Sequence, residues 1–284
     1  RGVDYDDAQW DSLLDELTIS DMDTMIAIGG YQTSAASSVG KIMTVDCDGP
    51  ASINNNFTGI GSVGFPSAVM IASTWNKNLA LKFGESIGKM ADEMEVSGWY
   101  APAMNIHRSA FAGRNFEYYS EDPLVSGKMA AAMTRGVQAH KGCGTTIKHY
   151  AANNKEYNRT RNNSMVSERT MREIYLKGFG ICVRESQPKA VMTSYNLLNG
   201  THTAESRGLV MDILRAEFGY QGIVMTDWVT PMTGDARSAH RDSQAQYVAA
   251  AGGDLFMPGS KGDYDNLLQG IDSGAVTLEQ VKIN

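Results

Sequence analysis

The feature that most constrains the fold is the alternation of short β-type runs with longer segments of helical periodicity. Runs rich in β-branched, aromatic and other apolar residues occur at 42–46, 99–105, 145–151, 190–196, 222–228 and 254–258, with helical patterns between most of them. Such alternation predicts a parallel sheet with right-handed crossovers. We therefore expect an α/β fold, a (β/α)8 TIM-like barrel over residues 1–284, with an open doubly wound sheet as the alternative.

The helical patterns have recognisable start signals. Asp122 followed by Pro123 is typical of an N-cap with proline in the first turn, and Ser167 precedes another helix in the same way. A break with a new cap is expected near Thr18. The predicted helices cover 76–96, 123–139, 167–185, 208–218, 238–251 and 264–273, with a partial helix at 277–282, whereas 54–64 reads as a flexible loop.

Polar residues cluster where the predicted strands end. They occupy positions 46–48, 105–107, 148–149, 195–196 and 227–228, and Asp254 is a further candidate. In a barrel these strand ends meet around one axis, so their side chains would converge on one pocket, whereas an open sheet would spread them along an edge. The number of polar strand ends favours the barrel.

Composition excludes several classes of partner. The net charge of −7 and the absence of a Lys/Arg run argue against nucleic-acid binding. No apolar run approaches the ~20 residues needed to cross a membrane, and no signal peptide is recognisable. Three separated cysteines favour a reducing compartment, so we expect a cytoplasmic location and leave a secreted or periplasmic one open. Because the chain starts at Arg1, we expect a piece of a longer protein.

Two familiar motifs are discounted. GIGSVG at 59–64 matches a dinucleotide-binding pattern, but no strand leads into it and no helix follows promptly, so an oxidoreductase is a remote alternative. GESIG at 84–88 lies within a helical pattern, so Ser86 is not a strained nucleophile. The five histidines form no HxH or HxxxH pair. No metal and no cofactor are therefore expected.

Three segments carry the candidate chemistry. Asp227 follows the apolar run GIVMT, where parallel α/β folds place catalytic groups. Lys148 and His149 end another run; neighbours on a regular strand face opposite sides, so both can line one pocket only if the backbone departs from regular geometry. Arg114 lies beside aromatic residues and Glu117, a setting that predicts a charge-assisted bond. Asp48, in DCDGP, is also typical of a turn.

These segments, together with DGP at 48–50, APAMNIHR at 101–108 and MTSYN at 192–196, resemble family 3 of the glycoside hydrolases, and especially its bacterial β-glucosidases. The likeness extends from about Leu13 to Pro258. It implies a barrel in which Asp227 is the catalytic nucleophile. It also implies a set of residues that hold the terminal sugar: Asp48, Arg114, Lys148, His149, Arg159, Tyr195 and Trp228.

The resemblance implies a retaining, exo-acting β-glucosidase that forms a covalent glycosyl-enzyme on Asp227, with a β-glucoside or short β-glucan oligosaccharide as ligand. The cations Lys148, Arg114 and Arg159 should lower the pKa of the carboxyl groups in the pocket and keep the nucleophile anionic. Retaining hydrolysis needs a second, protonated carboxyl about 5–5.5 Å away. In this family that glutamate usually comes from an α/β sandwich domain, which this sequence lacks.

We therefore expect the sandwich domain upstream, as in relatives with reversed domain order, or on another chain. Ser52 also stands where the family commonly has glycine. Two alternatives stay open: a related exo-glycosidase acting on β-xylosides or β-galactosides, and a sugar-binding barrel without its own acid/base. A hexosaminidase is less favoured because no His-Asp pair follows Lys148–His149.

Overall fold

The computed structural model describes residues 7–228 and 241–284. Its strands are β1 (Gln32–Thr33), β2 (Thr44–Cys47), β3 (Asn54–Asn55), β4 (Ile60–Gly61), β5 (Gly98–Trp99), β6 (Gly144–Tyr150), β7 (Asn163–Ser164), β8 (Ala190–Thr193), β9 (Leu197–Leu198), β10 (Thr201–His202) and β11 (Ile223–Met225). Its helices are α1 (Gln9–Leu14), α2 (Ile19–Ala27), α3 (Ala68–Ser73), α4 (Lys77–Glu93), α5 (Pro123–Gln138), α6 (Glu168–Thr170), α7 (Lys177–Ser186), α8 (Ala245–Ala250), α9 (Lys261–Ser273) and α10 (Leu278–Ile283). Both kinds of element alternate along the chain, as predicted.

The main sheet is TIM-barrel-like. Its strand order is β1-β2-β5-β6-β8-β11; β1 pairs antiparallel with β2, and the other pairs are parallel. The segment 254–259 closes the ring, because Leu255 bridges Met225 in parallel and Gly259 bridges Ile28. The carboxyl ends of the parallel strands therefore surround one face of the barrel.

Alternation along the strands separates two apolar cores. Val191 and Val224 belong to the large core beneath the helices, whereas Met192 and Met225 belong to a small cluster with Tyr100, Leu255 and Met257. Because successive side chains on a strand face opposite sides, the small cluster fills the barrel interior. The interior below the strand ends is therefore packed with side chains.

Local capping explains several helix starts. Thr18 forms a capping box with Asp21, Asn76 caps α4, Asp122 caps α5 with Pro123 in the first turn, and Ser167 caps α6. These match the sequence signals. The predicted helix 167–185 is interrupted by a π-helical turn, Met171–Tyr175, and the predicted helix 208–218 is a π-helical segment, Gly208–Glu217.

Other expectations need correction. Residues 54–64 contain the hairpin of β3 and β4, joined by antiparallel pairing, so they are more ordered than a flexible loop. The predicted strand 254–258 makes single bridges in place of a regular strand. For the predicted helix 238–251, residues 238–240 lie outside the described residues, and the helix observed there begins at Ala245. No helix within the described ranges is long and apolar enough to span a bilayer.

Candidate active site

One cavity of about 240 Å³ collects every predicted site residue. It opens at the carboxyl ends of the parallel strands, where TIM-like folds place their catalytic groups. The predicted residues that line it are Asp48, Arg114, Lys148, His149, Arg159, Tyr195, Asp227 and Trp228. The convergence expected of a barrel is therefore observed.

Asp48 and Lys148 form the most direct ion pair of the cavity. The Lys148 Nζ lies 2.6 Å from Asp48 Oδ1, and the Lys148 side chain is almost fully buried. Asp48 also stands at the expected turn, in which the Ser52 N–H donates to the Gly49 carbonyl. Burial raises the pKa of Asp48, but Lys148, the Gly49 N–H and Arg114 together outweigh it and lower the pKa. Asp48 is therefore an anionic hydrogen-bond acceptor.

The side chains of Lys148 and His149 line the same cavity because the end of β6 is irregular. The peptide bond between them is cis, and the pairing with β8 shifts register between Ile147 and Tyr150. Asn105 holds the turn by accepting from the His149 N–H at 2.8 Å and donating to its carbonyl at 2.9 Å. The departure from regular strand geometry that the sequence requires is thus present, and both side chains line the same cavity.

The His149 ring is buried and uncharged. Its Nδ1 lies 3.3 Å from the Tyr118 hydroxyl, and its Nε2 lies 3.7 Å from Asp227 Oδ2. Burial lowers the pKa of His149 well below its ordinary value, and the cations Arg114, Lys148 and Arg159 lower it further. A neutral imidazole can exchange hydrogen bonds with sugar hydroxyls without adding positive charge.

The two arginines are each held by a nearby carboxylate. Arg114 Nε bonds to the buried Glu117, as the sequence predicted. Arg159 lies 3.0 Å from Glu156 Oε2, and its guanidinium packs over the Tyr195 ring at 4.7 Å from the ring centre. Both glutamates are thereby engaged as structural anions.

Asp227 lines the cavity, and its two carboxylate oxygens differ in their partners: Oδ2 is buried, 3.7 Å from His149 Nε2. Its Oδ1 accepts from the Trp228 N–H at 2.7 Å, while its Oδ2 has no hydrogen-bond partner within residues 7–228 and 241–284. Burial raises the pKa of Asp227, whereas Arg114, the Trp228 N–H, Lys148 and Arg159 oppose that rise without cancelling it. The expectation that the cations lower pocket carboxyl pKa values holds for Asp48 and is wrong for Asp227, because desolvation is the larger effect there.

Three cavity residues escaped the sequence analysis: Tyr31, Tyr100 and Met192. Tyr100 forms the floor, where its hydroxyl donates to Asp46 Oδ2 at 3.2 Å. Burial raises the pKa of Asp46 to about 6, although the Tyr100 hydrogen bond lowers it. Tyr100 and Met192 lie within predicted strands next to candidates, which is the signal that could have identified them; Tyr31, with its positive φ of 54°, gave none.

Not every polar residue predicted at a strand end lines the cavity. Asn196 donates to the Ala151 carbonyl at 3.2 Å, and His107 Nε2 lies 3.0 Å from the Tyr118 carbonyl oxygen, so both support neighbouring loops. Asp254 instead binds Arg215 at the amino end of β11. Among the described residues, no group of three His, Cys, Asp or Glu side chains could hold a metal ion.

Comparison with known proteins finds a family model and several glycosidases that are similar to this chain. The model of the glycosyl hydrolase family 3 N-terminal domain matches residues 28–284. Beta-glucosidase A of Butyrivibrio fibrisolvens is 47% identical over 183 residues, which are 64% of this chain and 22% of that protein. An exo-alpha-(1->6)-L-arabinopyranosidase of Bifidobacterium breve is 38% identical over 89% of this chain and 30% of that protein.

A solved structure shows the same fold. Beta-glucosidase 3B of Thermotoga neapolitana, in complex with α-D-glucose, superposes with a TM-score of 0.86 at 34% identity, over 96% of this chain and 41% of that one. The chain therefore spans less than half the length of each of these relatives.

Proposed function

Because the chain belongs to glycosyl hydrolase family 3, whose N-terminal domain it matches, we propose that it is the catalytic barrel of a retaining, exo-acting β-glucosidase. The observation that carries the proposal is the position of Asp227, which lines one cavity with Lys148, His149 and two arginines and has an oxygen, Oδ2, without a hydrogen-bond partner among the described residues. Such an oxygen can attack an anomeric carbon, while the surrounding donors hold hydroxyls.

The cavity dimensions support an exo mode. Its volume of about 240 Å³ is below the roughly 300–1,000 Å³ of pockets for drug-sized ligands. The barrel interior beneath it is filled by the cluster around Tyr100 and Met257. A blind cavity of this size suits one terminal sugar ring, and the remainder of a β-glucoside or short β-glucan would project outward.

In the proposed reaction, Asp227 attacks the anomeric carbon as the glycosidic bond breaks, and the aglycone leaves after its oxygen takes a proton from the general acid; water then cleaves the glycosyl ester and frees Asp227. Asp48, held anionic by Lys148, would accept hydrogen bonds from hydroxyls, and Trp228 would offer an apolar ring face. Neither cavity carboxyl suits the role of general acid: Asp227 is the nucleophile, and the lowered pKa of Asp48 keeps it ionised. We therefore assign the acid/base glutamate to a second domain or another chain.

Trapping the glycosyl-enzyme tests this assignment. A deoxyfluoroglucosyl fluoride has a good leaving group, so it needs little acid assistance and can react with this chain alone. We expect intact-mass measurement to show one added sugar, and peptide mapping to place it on Asp227. Asp227→Asn should abolish labelling and lower turnover of dinitrophenyl β-glucoside about a thousandfold or more.

The control is Asp212→Asn, which changes an exposed carboxylate on the segment Gly208–Glu217 and should label normally. Labelling of another residue, or normal turnover by Asp227→Asn, would reject the nucleophile assignment. Glucose binding without any labelling of the unmodified chain would favour the sugar-binding barrel.

The arabinopyranosidase relative supports a second candidate, a related exo-glycosidase with another sugar preference. β-Xylosides and β-galactosides are the alternatives that the sequence leaves open. Rates on a panel of dinitrophenyl glycosides distinguish them, because the preferred sugar gives the highest kcat/KM. A strong preference for a non-gluco sugar would replace the β-glucosidase assignment while leaving the role of Asp227 intact.

A further inference from the structure

An unbroken row of aromatic rings leads from the cavity floor to the protein surface. Tyr100, only 1% exposed, stacks on Tyr31 with ring centres 5.6 Å apart and an interplanar angle of 17°. Tyr31 packs against Trp228 at 4.9 Å, and Trp228 stacks on Phe57 at 5.8 Å and 17°. The first three rings line the cavity, whereas Phe57 is outside its lining and packs on both Trp228 and Tyr31, with its ring centre 5.7 Å from that of Tyr31.

Phe57 is exposed but firmly placed. It is 77% exposed, which is unusual for a phenylalanine that stacks on a cavity-lining ring. The tip between β3 and β4 that carries it is held by Asn55, whose buried side chain accepts from the Phe57 and Thr58 N–H groups at 3.0 and 3.1 Å. The same side chain donates to the Asp46 carbonyl at 3.2 Å, which ties the tip to β2.

We propose that Phe57 is the binding platform for the aglycone, a residue that sets leaving-group specificity and that none of the candidate motifs contains. The inference rests on the proposed function, since it takes the cavity as the site of the terminal sugar. A ring joined to that sugar must leave through the mouth, where the Phe57 face lies parallel to Trp228. Aromatic faces bind flat, partly apolar rings such as a phenyl group or the C–H face of a pyranose.

The distribution of polar groups supports separate binding sites for the terminal sugar and for the aglycone. Charged and polar groups dominate the cavity, with Asp48, Lys148, Arg114 and Asp227 around it and the neutral His149 beside them. The Phe57 side chain has no polar atom and lies outside that charged set. The terminal sugar is thus selected by hydrogen bonds, whereas the aglycone is selected by ring shape and apolar area.

Calorimetry with two ligands tests the proposal in the unmodified chain. Glucose occupies only the terminal-sugar site, whereas phenyl thio-β-glucoside, which resists hydrolysis, adds an aglycone ring. We expect the thioglucoside to bind about tenfold more tightly than glucose, as burial of part of an aromatic ring allows. Phe57→Ala should abolish this difference while leaving the affinity for glucose unchanged, and Phe57→Trp should preserve it.

Phe111→Ala is the matched control. Phe111 is 97% exposed and stacks on no other ring among the described residues, so both affinities should stay unchanged. Equal weakening of both ligands by Phe57→Ala would show a purely structural role through Trp228, and no change in either would exclude aglycone contact. Both results overturn the proposal, as does equal binding of the two ligands by the unmodified chain. Failure to bind glucose at all would instead reject the proposed function.

Discussion

Asp227 is held between two opposing electrostatic effects. Burial disfavours its ionised form, whereas Arg114, the Trp228 N–H, Lys148 and Arg159 favour it, and the net result is a raised pKa. A carboxylate must be ionised to act as a nucleophile. The balance at this residue therefore sets the lower pH limit of the proposed reaction.

The first prediction concerns that limit. For dinitrophenyl β-glucoside, kcat/KM should fall as pH decreases through the pKa of Asp227, which lies above the ordinary carboxyl value of 3.8. Lys148→Met removes one stabilising cation and leaves Asp48 as an unpaired anion. Both changes raise the pKa of Asp227 further, so the acid limb should move up by ~1 pH unit.

Arg184→Met is the control for that pH profile. Arg184 packs over Phe218 on the outer helices and does not line the cavity. Its replacement should leave the acid limb in place. An acid limb that also stays in place in Lys148→Met would show that another group controls the reaction at low pH.

The sequence was enough to identify the charged residues that line the cavity, but it did not identify some of the aromatic and apolar residues around them. Asp48, Lys148 and Asp227 stand at strand ends in polar motifs, and such side chains need a reason to lie there. Tyr100 and Met192 have no such signature, because an apolar residue in a strand reads as ordinary core. Phe57 was missed because its position depends on a hairpin tip that is held by Asn55 and by long-range ring contacts with Tyr31 and Trp228.

At the scale of elements, features that depend on nearby residues could be predicted from the sequence, whereas features that depend on distant residues could not. Helix starts depend on a side chain two or three residues away, so the caps at Thr18, Asp122 and Ser167 could be predicted. The extents of β5 and β11 depend on neighbouring strands around the ring, and both are shorter than their apolar runs. The π-helical turn at Met171–Tyr175 likewise has no recognised sequence signal here.

The close contact of α4 and α5 depends on glycine in both helices. A Cβ on Gly136 would lie 2.2 Å from the Leu81 carbonyl oxygen, and a Cβ on Gly84 would lie 2.2 Å from the Met133 carbonyl oxygen. These neighbours are backbone atoms, which cannot turn away as a side chain can. The two helices therefore approach at a distance that only glycine permits.

The second prediction follows from this contact. Gly136→Ala gains up to about 1 kcal/mol in helix propensity, but the clash with Leu81 requires the helices to separate, and overpacking typically costs about 1–3 kcal/mol. Because the atoms that the new Cβ meets are rigid backbone of α4, we expect the clash to exceed the gain, with a net loss of ~1–2 kcal/mol in the free energy of unfolding. Urea denaturation measures it.

Gly64→Ala provides the comparison, because a Cβ there meets nothing within 4 Å. It should leave the free energy of unfolding within ~0.5 kcal/mol of the unmodified chain. Equal stability of the Gly136→Ala and Gly64→Ala variants would mean that α4 and α5 can move apart freely.

At the scale of the whole molecule, the barrel depends on how the segment 254–259 closes the ring. The Asp254 carboxylate accepts from the Val224 N–H at 2.6 Å and from Arg215 at 2.7 Å, which fixes the start of the segment to β11. Farther along, the Met257 N–H donates to the Thr226 hydroxyl at 2.8 Å, directly before Asp227. Closure of the ring and placement of Asp227 thus share one segment.

The third prediction tests this closure. Arg215→Met leaves a buried carboxylate without its cation, and breaking such a pair costs ~3 kcal/mol or more. Burial already raises the pKa of Asp254 to about 6 against the opposing effect of Arg215, and losing Arg215 raises it further. A raised carboxyl pKa stabilises the folded chain at low pH and loses that contribution as pH rises. The variant should therefore be much less stable at pH 8 and closer to the unmodified chain at pH 5.

Combining Arg215→Met with Asp254→Asn separates charge from packing. The amide is uncharged at every pH and retains an oxygen that can accept from the Val224 N–H, so the double variant should recover most of the stability lost at pH 8. Its affinity for glucose should recover in parallel, because Thr226 and Asp227 return to place when the segment closes. If stability recovers while glucose binding does not, ring closure and the placement of Asp227 are independent, and the coupling argued from the Met257–Thr226 hydrogen bond is wrong.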